Sequence, residues 1–141
     1  MSIFEMLAQE HEDQSFCDIK DPEKKNRLKV RLLNRTDSLQ ETDYIRVMTP
    51  MAGKDYGAFF LPEVGDEVLV GFVDGDFTAP YVLGSLYNAK APGPGKVEES
   101  KNQLRTIKSK TGHLMEWNDG EEAPGLTLKT AGESALSMND K

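Results

Sequence analysis

The feature that most constrains this chain is a stretch, Gly57 to Asn88, whose β-forming runs are apolar on both parities. It reads GAFFLPEVGDEVLVGFVDGDFTAPYVLGSLYN. Two runs, Glu67 to Val73 and Tyr81 to Leu86, flank an Asp74-Gly75-Asp76 turn, and a third, Ala58 to Leu61, leads in through Pro62 and Gly65. Turn residues between β-rich runs predict three consecutive antiparallel strands. A strand with one wet face should alternate apolar-in, polar-out, yet Val68-Leu69-Val70-Gly71-Phe72-Val73 does not, and Tyr81 to Leu86 hardly does. Both faces therefore need cover. One face can fill the interior of a small barrel. The other can be met by a second copy of the chain, by a helix or loop packed there, or by a bulge that shifts the parity midway. The second copy is the economical solution, because obligate homo-oligomer contacts resemble a core cut in half. It assigns Leu69, Gly71, Val73, Tyr81 and Leu83 to a subunit interface.

The 141 residues suit one domain of ordinary size with a small appendage. No run approaches the roughly 18 apolar residues of a membrane span. The opening MSIFEMLAQEHEDQ lacks a basic start followed by an apolar block, so no secretory signal is read and assembly in the cytoplasm is expected. The single cysteine, Cys17, excludes an internal disulfide and has acidic neighbours, Asp18 and Asp21, which disfavour a thiolate. A net charge of −7 gives no general footprint for nucleic acid.

Along the chain, residues 1–13 read as an N-terminal segment that is helical or disordered, with Ile3, Phe4 and Leu7 on one face. Residues 14–88 read as the barrel. Gln14 to Lys20 makes a weak first strand. In Leu28-Lys29-Val30-Arg31-Leu32 the apolar residues point inward, and a basic face (Lys24, Lys25, Arg27, Lys29, Arg31) reads as a solvated edge. In Asp43 to Met48, Ile45 and Val47 share one face. Thr49 to Gly57, with Pro50 and two glycines, reads as a structured loop. Five or six short strands at this spacing suit a small barrel. Residues 89–101, rich in proline and glycine, form a linker.

Residues 102–141 hold an internal repeat. Thr106-Ile107-Lys108-Ser109 recurs 21 residues later as Thr127-Leu128-Lys129-Thr130, and Met115 to Asp119 recurs as Leu136 to Asp140. Such a period signals stacked or wound architecture. Each unit carries too few apolar residues to enclose a core alone. Three chains wound together would close it, with Ile107, Met115, Trp117, Leu128, Leu136 and Met138 at the interface.

The central string from Arg46 through Thr49-Pro50-Met51-Ala52-Gly53-Lys54, Gly57 to Phe72, Asp74-Gly75-Asp76 and Leu83-Gly84-Ser85-Leu86-Tyr87-Asn88 resembles the OB-fold base domain of VgrG and phage baseplate spike proteins. Asp21-Pro22-Glu23 and Arg27 to Arg31 are similar to that domain's second strand. Lys108-Ser109, Gly112-His113 and the Asn118-Asp119 repeat resemble the opening of the family's β-helical needle. The resemblance implies an all-β chain: a five-stranded OB-fold barrel followed by a short trimeric triple-stranded β-helix or β-prism needle. It implies a homotrimer at the centre of a contractile injection machine (phage tail, bacteriocin, type VI secretion system or extracellular particle). The trimer would dock on a tail hub, carry a PAAR-type tip protein or an effector, and meet the target membrane transiently. VgrG proteins carry a large hub domain ahead of the OB fold. Here about twenty residues precede it, which fits a spike with a separate hub protein or a cut chain. The needle is short, and neither a lysozyme domain nor an iron-binding His-x-His motif is present.

No catalytic residue, cofactor or metal site is expected, and no turnover. Glu63, Asp66, Glu67, Asp74 and Asp76 could supply a glycosidase pair, but Asp66, Asp74 and Asp76 sit beside glycines, where turns favour local hydrogen bonds. His113 has no second ligand nearby and reads as an exposed loop histidine. The alternative is an OB-fold single-stranded nucleic-acid-binding protein, which needs a basic groove with stacking aromatics. Phe59, Phe60, Phe72, Tyr81 and Tyr87 are available, but acidic residues surround them, so no nucleic-acid partner is expected.

Overall fold

The computed structural model describes residues 17–32, 41–76, 78–95 and 101–140. The proposed N-terminal segment, 1–13, lies outside them, as do 33–40 and 96–100. The described chain is all-β apart from one 3-10 turn at Val73–Gly75. It divides into two compact units, 1–91 and 92–141.

The first unit contains β1 (Cys17–Asp18), β2 (Lys29–Val30), β3 (Ala52–Gly53), β4 (Tyr56–Gly57), β5 (Glu67–Phe72) and β6 (Pro80–Leu86). β1 pairs antiparallel with β2, and bridges Leu28 to Ile45 and Arg31 to Glu41 place residues 41–47 on the other side of β2. A parallel bridge from Val47 to Val82 joins that segment to β6, which pairs antiparallel with β5. Spatial order is therefore β1, β2, 41–47, β6, β5. Strict alternation in Leu28-Lys29-Val30-Arg31-Leu32 puts Leu28, Val30 and Leu32 inside as expected, and Leu28 and Val30 cluster with Ile45 and Val82. Leu28 and Val82 are fully buried, and Val47, Val68 and Val70 pack against this small core.

Two expectations for this unit change. Ala58 to Leu61 is not a strand. Ala58 N–H donates to Met51 O at 2.9 Å and Ala58 O accepts from Thr49 Oγ1 at 2.7 Å, so both of its backbone groups are taken by the preceding loop. That loop holds the hairpin β3–β4, which turns through Lys54-Asp55 with Asp55 at φ 64°. A run of apolar residues specified neither partner nor turn. The second change concerns parity: the β5–β6 register shifts between Leu69 and Val70, so Leu69 faces Gly84 while Val70 faces Val82, and Leu83 is the extra residue. One of the three alternatives, a bulge, is present.

The entry to β2 is built on Asp21, whose side chain is 2% exposed. Its carboxylate accepts from the backbone N–H of Glu23 (3.1 Å), Lys25 (2.8 Å) and Arg27 (3.4 Å), and from Arg27 Nε (3.0 Å) and Nη2 (2.7 Å). Lys24 and Asn26 take left-handed φ of 54° and 57° to wrap this loop. The Arg27 guanidinium first, then the backbone N–H groups, hold the Asp21 carboxyl well below the usual carboxylate range.

The second unit is an antiparallel meander of β7 (Leu104–Lys108), β8 (Leu114–Asn118), β9 (Gly125–Lys129) and β10 (Ala135–Asn139), in the order β10-β9-β8-β7. Each repeat is one hairpin. Among its described residues only Gly120 is buried.

A depressed folded-state pKa contributes stability above the unfolded carboxylate value, near 4, and loses it as pH falls through the folded value. Asp21→Asn should therefore lower the urea midpoint at pH 7 and flatten the loss of stability on acidification below pH ~4. Equal pH profiles for the two proteins would remove Asp21 from this role.

Candidate functional site: two apolar sheet faces

In the β5–β6 hairpin, directly paired residues share a face. Val68, Val70 and Val82 face the core. Leu69 and Gly71, with Tyr81 opposite Gly71, lie on the other side. A Cβ on Gly71 would meet the Tyr81 ring at 3.2 Å and Leu83 Cδ1 at 3.3 Å, so Tyr81 and Leu83 lie over that glycine and form a compact apolar patch. Four of the residues assigned from the sequence thus meet on the outer face: Leu69, Gly71, Tyr81 and Leu83. Val73 stands apart, at the start of the turn and 44% exposed.

The meander is amphipathic across all four strands. Its register sets Arg105, Trp117, Leu126 and Met138 in one row, and Ile107, Met115, Leu128 and Leu136 in another. Alternation puts these two rows on one face. Thr106, Glu116, Thr127 and Ser137 fill the row between them on the opposite face, where Thr127 and Ser137 hydroxyls lie 3.1 Å apart. The apolar stripe is two residues wide along each strand and runs across the strands. Ile107 (48% exposed), Leu136 (59%) and Met138 (52%) are open on it. All six needle residues read from the sequence fall on this stripe. Leu126 was missed, although the 21-residue shift sets it against Arg105 and the alternation Leu126, Leu128 marks it. Arg105 is the one ionic residue among the eight, and it pairs with Asp119.

Much of the basic face read as a solvated edge is engaged within the chain, while Lys24 and Lys25 are exposed. Arg27 pairs with Asp21 and Glu23, Lys25 with Glu23, and Arg31 with Glu41. Lys29 Nζ lies 5.3 Å from the centre of the Tyr44 ring, whose hydroxyl donates to Asp18 at 2.9 Å. Its positive charge is compensated by neighbouring carboxylates rather than offered to phosphates. Phe59 (70% exposed), Phe60 (66%) and Tyr87 (75%) stand open.

Two turn carboxylates serve local backbone. Asp66 accepts from the Glu63 N–H, and Asp76 accepts from the Thr78 N–H and hydroxyl, which hold its carboxyl below the usual range. His113 is exposed, and its Nδ1 accepts from the Ala131 N–H at 3.4 Å. Among the described residues no group of three His, Cys, Asp or Glu side chains is arranged to hold a metal ion. No helix there is long and apolar enough to cross a membrane.

A family model described as the type VI secretion system/phage-baseplate injector OB domain matches residues 16–87. Among curated proteins, the chain is similar to the type VI secretion system spike protein VgrG1a of Pseudomonas aeruginosa, 33% identical over 78 residues (54% of this chain, 12% of that protein). It is also similar to VgrG2a of the same organism, 42% identical over 69 residues (49% and 8%), and to VgrG3 of Vibrio cholerae, 37% identical over 65 residues (45% and 6%). The matches cover about a tenth or less of these relatives' length.

Trp117, the single tryptophan, reports on the stripe. If copies of the chain cover it, dilution should shift its emission to the red and raise acrylamide quenching. Emission independent of concentration down to the nanomolar range would mean that copies do not exchange there.

Proposed function

The chain belongs to the type VI secretion system/phage-baseplate injector OB-domain family, and from that membership we propose that it is a structural spike protein at the centre of a contractile injection apparatus. Its role is mechanical: puncture and cargo presentation without turnover. Three copies assemble. Their OB barrels close and pack through the outer face of β5–β6, and residues 102–141 of the three chains form a β-prism. The trimer docks on the tail hub and baseplate, presents a PAAR-type tip protein or an effector at the needle end, and meets the target membrane only transiently. It is assembled in the cytoplasm and delivered outward by the machine.

The observation that carries this reading is the apolar stripe. A sheet with one apolar face and no core of its own is stable only when that face is covered. The stripe is too narrow along the strands for a broad sandwich and extends across them, which suits three sheets around an axis crossed by the strands. The similarity to type VI secretion system spike proteins supports the same role. A nucleic-acid role finds less support, because Lys25, Arg27 and Arg31 are already ion-paired.

Sedimentation of the full chain should give three times 15.7 kDa, and a folded monomer at micromolar concentration would refute the reading. Leu69→Lys or Leu83→Lys should each break the trimer, with loss of the far-UV β signal of residues 104–139. A trimer that survives both would move the contact to another face.

A further inference from the structure

The repeat that builds the needle sheet also gives copies two ways to meet. A shift of 21 residues carries Ile107 onto Leu128, Met115 onto Leu136 and Trp117 onto Met138. One repeat's stripe therefore fits a neighbour's level with it, or displaced by one hairpin. The displaced arrangement leaves half of each stripe uncovered, recruits further copies at both ends, and has no closure. Nothing in those three positions discriminates between the two.

One position on the stripe does. Where the second repeat has Leu126, the first has Arg105, and Arg105 is held by Asp119, whose counterpart Asp140 faces no arginine. We propose that the Arg105–Asp119 pair is the register key of the assembly, admitting copies of this chain that pack level and rejecting copies displaced by one repeat. This rests on the proposed homotrimer. The pair is neutral within one chain, so Arg105 adds no net charge to the stripe, and the surface that complements the stripe is itself apolar, as another copy's stripe is. In level packing the pairs of all copies share the layer of β7, the edge strand, where each is now more than half exposed to water (55% and 61%). In displaced packing each pair is covered in mid-stripe by a neighbour's Leu126 and Met138. Desolvating an ion pair against apolar side chains is unfavourable even when the pair stays formed, and a single polar group in an apolar seam is the best-attested way to fix register.

The test is sedimentation velocity of the full chain over a tenfold concentration range, comparing wild type, Arg105→Leu, and the exchange Arg105→Leu/Leu126→Arg. Wild type should give one species. Arg105→Leu, whose repeats are now alike, should give a broad distribution whose weight-average mass exceeds the wild-type value and rises with concentration. The exchange moves the arginine beside Asp140 and should restore one species of wild-type mass; if the single variant precipitates, this recovery decides. A single Arg105→Leu species with wild-type mass and melting temperature would overturn the register key, as would an exchange variant that stays broad, while the trimer would stand in both cases. A monomeric wild type would instead sink the trimer itself.

Discussion

The structure depends on a sheet with one apolar face that no described residue of its own unit buries. Residues 104–139 form four strands whose hydrogen bonds are satisfied along the meander, with only the outer edges of β7 and β10 open. Backbone pairing is therefore nearly complete within one chain, and side-chain burial is not. A sheet that is apolar on one face must bury that face against another element. At roughly 25 cal/mol per Å² of apolar surface, the free energy that would fix this sheet lies in contacts one copy cannot make. Under the proposed assembly, folding of this sheet and association become one process.

The first unit divides its strands differently. Its core is small, and Val82 sits where residues 41–47, β6 and β5 converge. The bulge at Leu83 lets the same strand send Val82 into that core and keep Tyr81 and Leu83 on the outside, over Gly71. A hairpin apolar on both parities is then consistent with a domain that is folded on one side and adhesive on the other. Asp21 does a separate job. It gathers backbone N–H groups and Arg27 around one carboxylate and so sets the direction in which the chain enters β2.

What was legible in the sequence follows what local pattern encodes. Alternation in Leu28 to Leu32 and in Ile45 and Val47 gave the core, because period two has one physical meaning in a half-buried strand. The 21-residue repeat gave the two hairpins and six of the stripe residues. Ala58 to Leu61 misled, because its backbone partners are Thr49 and Met51 and depend on a turn at Asp55 that needs a left-handed φ. The ion pairs of the basic strip were hidden as well, since Glu41 lies far from Arg31 in sequence and Asp21 acts through a loop whose shape the composition does not announce. Leu126 was readable from its alternation with Leu128, and Arg105 by laying one repeat on the other.

The proposed spike role follows from incomplete burial: an OB domain with an apolar patch on the outer face of β5–β6, then a sheet whose apolar face copies of the chain would cover. The most direct measurement is hydrogen exchange of the β7 to β10 amides followed across a dilution series. The account predicts slow exchange in the assembled protein and loss of that protection, at all four strands together, at concentrations where the assembly dissociates. Protection that persists in a dissociated chain would show that one copy holds this sheet unaided, and would contradict it.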